Sequence, residues 1–337
     1  MFILRLLSAI FLTKSVVSDV EITCPPNEVL FPCNCDSEVA VIMCDIKDAE
    51  ICNIENITSK ISEVVQNKSV HFELAIGGVK LTKLKEKSLG SVLYSRIAII
   101  DTGLKSIHKN VFSHTSHVTY YIDLEGNHLK NDVFDALRSL PTLTYINLSR
   151  NKLTVIPSHA FRHTNGQFQS RLRVILLTQN DIHTISGHAF FYLPHVSHLD
   201  ISENELDLIG DQAFDFDDIP IGRQIHLTID LAKNKLHSNS FNEKTLANIH
   251  RPVKLKIASN NFTHLSESIF KPFLYKHENN SIDVEANPLY CDCSSLWLHR
   301  NMHIYRNKVL NHVCKDNRIL WSYNHSEFNN CDNSFFL

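Results

Sequence analysis

Residues 144–156 read Thr144-Tyr145-Ile146-Asn147-Leu148-Ser149-Arg150-Asn151-Lys152-Leu153-Thr154-Val155-Ile156, and Phe161 follows. Ile146 and Leu148 lie two residues apart, the spacing that puts both side chains on one face of a strand and their neighbours on the other. Asn151, Leu153 and Ile156 complete the pattern. It recurs as Leu199-x-Ile201-x-x-Asn204-x-Leu206-x-x-Ile209, with Phe214 after it. Working outward, further copies begin at Leu74, Ile97, Ile122, Ile175, Ile229, Leu255 and Ile282. Nine starts between positions 74 and 282 give a mean interval of 26 residues, a period that marks stacked supersecondary units.

The pattern is similar to that of leucine-rich repeats. It predicts an α/β solenoid with a curved, parallel, concave sheet and an irregular convex side. After each strand the chain turns inside the coil, where backbone groups cannot reach water. Asn127, Asn151, Asn180, Asn204, Asn234, Asn260 and Asn287 sit where a side chain could satisfy them. Losing one should cost roughly 1–3 kcal/mol per buried group left unpaired. Val79 and Thr102 hold this position in the first two units, so the N-terminal end is expected to be irregular. Phe112, Phe134, Phe161, Phe190, Phe214, Phe241 and Phe270 recur once per unit, and seven of nineteen Phe at repeat spacing predict an aromatic spine. Two long intervals place extra residues near 162–171 and 216–223, expected as convex loops.

Thirty-three Lys+Arg against 36 Asp+Glu give a formal charge of −3, which offers no basic surface for nucleic acid. The start, with Arg5, an apolar stretch from Leu6 to Leu12 and small residues near Ser18, describes a secretory signal over residues 1–18. Removing it takes away Arg5 and Lys14 and lowers the charge from −3 to −5. No other run approaches the ~20 apolar residues of a membrane span. The expectation is a secreted, extracellular protein. Six N-x-S/T triplets, at Asn56, Asn67, Asn147, Asn261, Asn279 and Asn324, are candidate glycosylation sites.

The nine Cys cluster at the ends, five in the first 52 residues and four in the last 50. Asn287-Pro288-Leu289-Tyr290-Cys291-Asp292-Cys293, then Leu296-Trp297-Leu298, Cys314 and Cys331, resembles the C-terminal cap of leucine-rich-repeat proteins. That resemblance implies the pairs Cys291–Cys314 and Cys293–Cys331. A zinc site fits this spacing less well than an exported disulfide cap. Cys24-Pro25, Cys33-x-Cys35 and Cys44 resemble the matching N-terminal cap and by analogy imply Cys24–Cys35 and Cys33–Cys44, one of three connectivities. Cys52 is left over: buried as a free thiol (the favoured reading), displacing one of those partners, or joining two chains. The N-terminal segment resembles the secreted arthropod group of the oplophorus-luciferin 2-monooxygenase non-catalytic subunit. The resemblance implies an accessory or binding protein, with immune recognition or a matrix role as alternatives. The expected organisation is a signal over 1–18, an N-terminal cap and lead-in over 19–69, repeats over 70–286, a C-terminal cap over 287–331 and a tail over 332–337.

Function in this architecture is expected on the concave face, where outward residues of successive strands form columns. Tyr121 and Tyr145 are neighbours in one column, and Asp123, Glu125, Asp200, Glu203, Asp230, Asp283 and Glu285 form an acidic lane interrupted by Lys233, Lys254 and Lys256. These residues are the candidate docking surface for an extracellular protein partner, or for a second copy pairing through this face or Cys52. A glycan on Asn147 would cover its centre. No catalytic motif, nucleotide loop or paired metal ligands stand out, so no enzyme activity, cofactor or metal is expected. The twenty His would carry the processed chain from −5 towards +15 on full protonation, and His159, His163, His183 and His188 are the first candidates for a pH response.

Overall fold

The computed structural model describes residues 24–31, 33–45, 53–64, 70–163, 171–216 and 225–331. The signal, Cys52, Asn67, residues 164–170 and 217–223 of the two expected loops, and the tail lie outside these residues. The main sheet has twelve strands: β1 Cys33–Asp36, β2 Val41–Asp45, β3 Phe72–Gly77, β4 Tyr94–Ile100, β5 Tyr121–Asp123, β6 Tyr145–Asn147, β7 Val174–Leu176, β8 His198–Asp200, β9 Leu227–Asp230, β10 Val253–Lys256, β11 Ser281–Asp283 and β12 Val309–Leu310. Two compact units divide the chain, one of residues 1–153 with 161–175 and one of 154–160 with 176–337.

In the first unit, β1 and β2 form an antiparallel hairpin that places Cys33 opposite Cys44. These two are joined, and Cys24 is joined to Cys35. From β2 onward the pairing is parallel, through β3, β4, β5 and β6. Ile122, Leu124, Ile146 and Leu148 are fully buried, which is the inward half of the repeat pattern. The N-terminal strands differ from expectation: β3 and β4 are six and seven residues long, with one register shift between Phe72 and Glu73. Thr102 joins the ladder, its amide and hydroxyl both donating to Asn127 Oδ1 at 3.2 and 2.9 Å, while Val79 is simply buried. Asn127 also donates to the carbonyls of Ile99 and Leu124, and Asn151 to those of Leu124 and Leu148. Phe134 and Phe161 meet edge to face at 5.7 Å.

In the second unit, β8 through β12 are parallel in chain order. Asn204, Asn234, Asn260 and Asn287 repeat the same bonds, each amide bridging one carbonyl of its own turn and one of the turn before. Opposite the sheet, Val155–Ile156, Thr184–Ile185 and Leu208–Ile209 pair in parallel on the return side. The spine continues as Phe190 stacked on Phe214 at 5.8 Å and Phe241 against Phe270 at 5.6 Å. The C-terminal cap is closed by Cys291–Cys314 and Cys293–Cys331.

One conformational requirement recurs in every turn. The residue before each ladder position has positive φ: Gly78, Asp101, Gly126, Arg150, Gln179, Glu203, Lys233, Ser259 and Ala286 lie between 51° and 71°. Seven of these nine are not glycine, so the turn accepts the strain of the left-handed region because the Asn bonds fix it. Gly126 is glycine for a different reason: a Cβ there would run into the Asp101 carboxylate, which is paired with Arg150.

Candidate binding face

The first unit carries an in-register row on the face of the sheet turned away from the core. Glu73 pairs with Arg96, Arg96 with Tyr121, and Tyr121 with Tyr145. Each is the residue just before the first inward position of its repeat, so alternation points all four outward. Their side chains meet in sequence. Arg96 Nε lies 3.7 Å from Glu73 Oε2, the Arg96 guanidinium sits 4.2 Å over the Tyr121 ring, and the Tyr121 and Tyr145 rings stack at 4.3 Å, 3° from parallel. Arg96 is only 8% exposed, so the guanidinium is sheltered enough for the ring quadrupole to matter. Both faces of Tyr121 are therefore covered, by Arg96 and by Tyr145. Sequence reasoning found the two tyrosines but missed Glu73 and Arg96, although the same offset from Leu74 and Ile97 marks them.

Two residues along each strand, Asp123 and Asn147 sit under this row. Asp123 accepts from the Glu125 amide at 3.1 Å and the Tyr121 hydroxyl at 3.3 Å. Asn147 accepts from the Ser149 amide at 2.9 Å and donates to Glu125 at 3.3 Å. Arg150 then bridges Glu125 and Asp101, each at 3.2 Å, passing over Gly126. A glycan on Asn147 would require its buried amide to leave these bonds, whereas Asn56, Asn261, Asn279 and Asn324 are exposed.

Burial pushes the Asp123 carboxyl up to about 6, with the Glu125 charge acting in the same direction and the bonds to the Glu125 amide, Asn147 and Tyr121 opposing it. Burial also raises the Tyr121 and Tyr145 hydroxyls, Tyr145 to about 12. A raised carboxyl means that the folded state binds more protons than the unfolded state, so ionisation of Asp123 destabilises the fold. Stability from this group should be greatest below the unfolded value near 3.9 and fall as pH rises through about 6. Asp123→Asn, which copies Asn147 in the next repeat, keeps the turn and removes the charge. It should stabilise the protein by about 1–3 kcal/mol at pH 7.5 and by almost nothing at pH 3.5, read from thermal melts at the two pH values.

The second unit shows what most of the acidic lane does. Asp200, Asp230 and Asp283 each accept from the backbone amide two residues on, at Ser202, Ala232 and Glu285. These are Asx turns closing the strand ends. Two of the three lysines, Lys233 and Lys256, do not interrupt the lane but neutralise it. Lys256 bonds Asp230 at 2.7 Å, and Lys233 bonds Glu203 at 2.7 Å with Gln179 on the other oxygen at 2.6 Å. The Lys233 and Gln179 bonds hold Glu203 below the usual carboxylate range, and the Asp230 bond raises Lys256. Asp283 receives Asn311 at 2.9 Å. Asx turns were legible as Asp two residues before a turn, but strand order was needed to see the lysine pairing.

The histidine candidates separate. In the second unit, His159 and His188 stack at 6.0 Å with Phe191 against both edges, and His183 bonds Thr184. His163 belongs to the first unit. Among the described residues, Cys291, His312 and Cys314 form a cluster of metal-ligating type, but the two sulfurs are joined to each other.

The leucine rich repeat family model matches residues 119–166 and 170–216. The chain has the leucine-rich-repeat solenoid fold, with disulfide caps at both ends. It is 25% identical over 301 residues to the oplophorus-luciferin 2-monooxygenase non-catalytic subunit of Oplophorus gracilirostris, spanning 82% of this chain and 79% of that one. It is 23% identical over 266 residues to the CD180 antigen of Mus musculus, covering 77% of this chain but 33% of the antigen. Among solved structures, a chain from the octameric complex of latrophilin 3, Unc5D and FLRT2 superposes with a TM-score of 0.61 at 17% identity, covering 91% of this leucine-rich-repeat chain and 99% of that chain. Human 5T4 follows at 0.50 and 15%, with 91% and 98% covered. These structures share the fold. No helix among the described residues is long and apolar enough to cross a membrane.

Proposed function

We propose that this leucine-rich-repeat protein is an extracellular, non-catalytic binding subunit that holds a protein partner on the outward sheet face of its first unit. The observation that carries the reading is the row Glu73–Arg96–Tyr121–Tyr145, four side chains locked in register with Asp123 and Glu125 beside them. Such a surface is ordered before contact, so docking loses little side-chain entropy, and its aromatic and arginine content matches that of interface anchors. The row holds its own shape: Arg96 pairs with Glu73, and the Tyr121 hydroxyl donates to Asp123. The similarity to a non-catalytic subunit supports an accessory role in a secreted complex.

Tyr145 is the side chain to remove, because Tyr121→Ala would also strip the cover from Arg96. Immobilised wild-type protein should recover a defined partner from its own secretion, and Tyr145→Ala should recover about tenfold less. Recovery that does not depend on Tyr145 contradicts the proposal.

A further inference from the structure

The C-terminal cap places a histidine against one of its two disulfides. His312 lies two residues before Cys314, on a segment paired on both sides. Leu289 pairs with Cys314 on one side, and Val313 pairs with Ile319 on the other. The Cys314 amide donates to the Arg318 carbonyl at 2.8 Å, and the Leu320 amide donates to the His312 carbonyl at 3.1 Å. The backbone that presents His312 and Cys314 is therefore set by hydrogen bonds as well as by the Cys291–Cys314 link. Both sulfurs and an imidazole nitrogen of His312 lie within 4.8 Å of one another. His312 is 1% exposed, and its Nδ1 has no hydrogen-bond partner in the protein. A buried polar atom without a partner costs free energy, so its retention asks for a role. Burial pushes the ring down to about 4, which leaves it neutral with a lone pair to give.

We propose that Cys291, Cys314 and His312 bind one zinc ion whenever the two cysteines are thiols, in the newly made chain or after exchange with a dithiol. Two thiolates and one imidazole are a soft ligand set that suits zinc and leaves a fourth position for water. The thiolate charges cancel that of the ion, so the assembly is neutral where a lone charge would be costly. Binding releases the two thiol protons. Joining the sulfurs sends two electrons to an oxidant, such as a second disulfide, and expels the ion. Starting from the closed cap, a dithiol supplies two electrons and two protons to the cysteines and becomes a cyclic disulfide. The Cys spacing alone spoke against zinc, and His312 completes a set that the spacing hides. The site is separate from the sheet face and does not depend on the proposed partner binding.

The second disulfide of the cap is an internal reference, because among the described residues Cys293 and Cys331 have no third ligand atom in reach. The full chain, reduced by a phosphine without oxygen, is alkylated with and without zinc, and each cysteine is read by peptide mass spectrometry. Zinc should slow alkylation of Cys291 and Cys314 by about tenfold or more and leave Cys293 and Cys331 within about twofold. Cobalt in place of zinc should give a thiolate-to-metal absorption band that saturates at one ion per chain. His312→Gln should weaken zinc binding by about tenfold or more, and His312→Cys, which restores a ligand, should recover most of that loss. Equal protection of all four cap cysteines is what an unfolded cap would give, and it overturns the proposal. Absence of protection overturns it too, as does zinc binding unchanged by His312→Gln. If His312→Gln melts early, the contrast between the two cap pairs in the wild type decides alone.

Discussion

Asn204→Ala should lower the stability of the second unit by about 3–6 kcal/mol. The Asn204 side chain makes five bonds in the dry turn. Its amide donates to the carbonyls of Leu177, Ile201 and Ser202 at 2.9, 3.0 and 3.1 Å, and its oxygen accepts from the amides of Asn180 and Ile182, both at 3.1 Å. Alanine restores none of them, and the turn is too deep for water to replace all five. Roughly 1–3 kcal/mol per unpaired buried group, reduced by local relaxation, gives the stated range. Asn204→Asp should be at least as damaging, because it keeps the acceptor but presses a carboxylate against three carbonyls. In a repeat array each unit leans mainly on its neighbours, so the loss should concentrate around residues 177–234. Urea unfolding with site-resolved hydrogen exchange measures both. A loss under about 1 kcal/mol would mean that the ladder is not what holds the turns.

The second large effect is expected at Arg251. Its side chain is fully buried in the second unit, donating to the carbonyls of Leu193, Pro194 and Val196 at 3.2, 3.0 and 2.5 Å, with the guanidinium 4.9 Å from the Phe216 ring. One side chain thus completes the hydrogen bonding of a neighbouring return segment more than fifty residues earlier. Arg251→Met keeps most of the stem volume but leaves three carbonyls dry, and about 3–5 kcal/mol should be lost. Arg251→Lys keeps the charge without the planar fork and should fall between the two. Thermal unfolding of the three proteins checks the order, and a methionine variant as stable as the wild type would contradict this account.

The contrast between these two residues shows what a single sequence discloses. Asn204 is legible because its role is periodic: Asn151 and Asn234 stand at the same offset from their strands, and the physics of a dry turn names the job. Arg251 has no counterpart at repeat spacing, and nothing in His250-Arg251-Pro252 points towards Leu193. The proposed binding face lies between these extremes. Tyr121 and Tyr145 were found by column, but the charge of the face was misjudged, because the columns give position without partner. Asp200, Asp230 and Asp283 are occupied in turns, and Lys233 and Lys256 are bonded to acids of the preceding repeats. The packing of the C-terminal cap on the last repeat was not legible for a similar reason. Leu265 and Trp297 are 32 residues apart and meet only after the last repeat has stacked.

Partner binding, as proposed, depends on the locked tyrosine row of the first unit. Capture from the protein's own secretion tests it most directly, comparing wild type, Tyr145→Ala, and Lys254→Ala as an exposed outward control on the second unit. Recovery reduced by about tenfold for Tyr145→Ala and unchanged for Lys254→Ala is the predicted result. Equal recovery by wild type and Tyr145→Ala would contradict it.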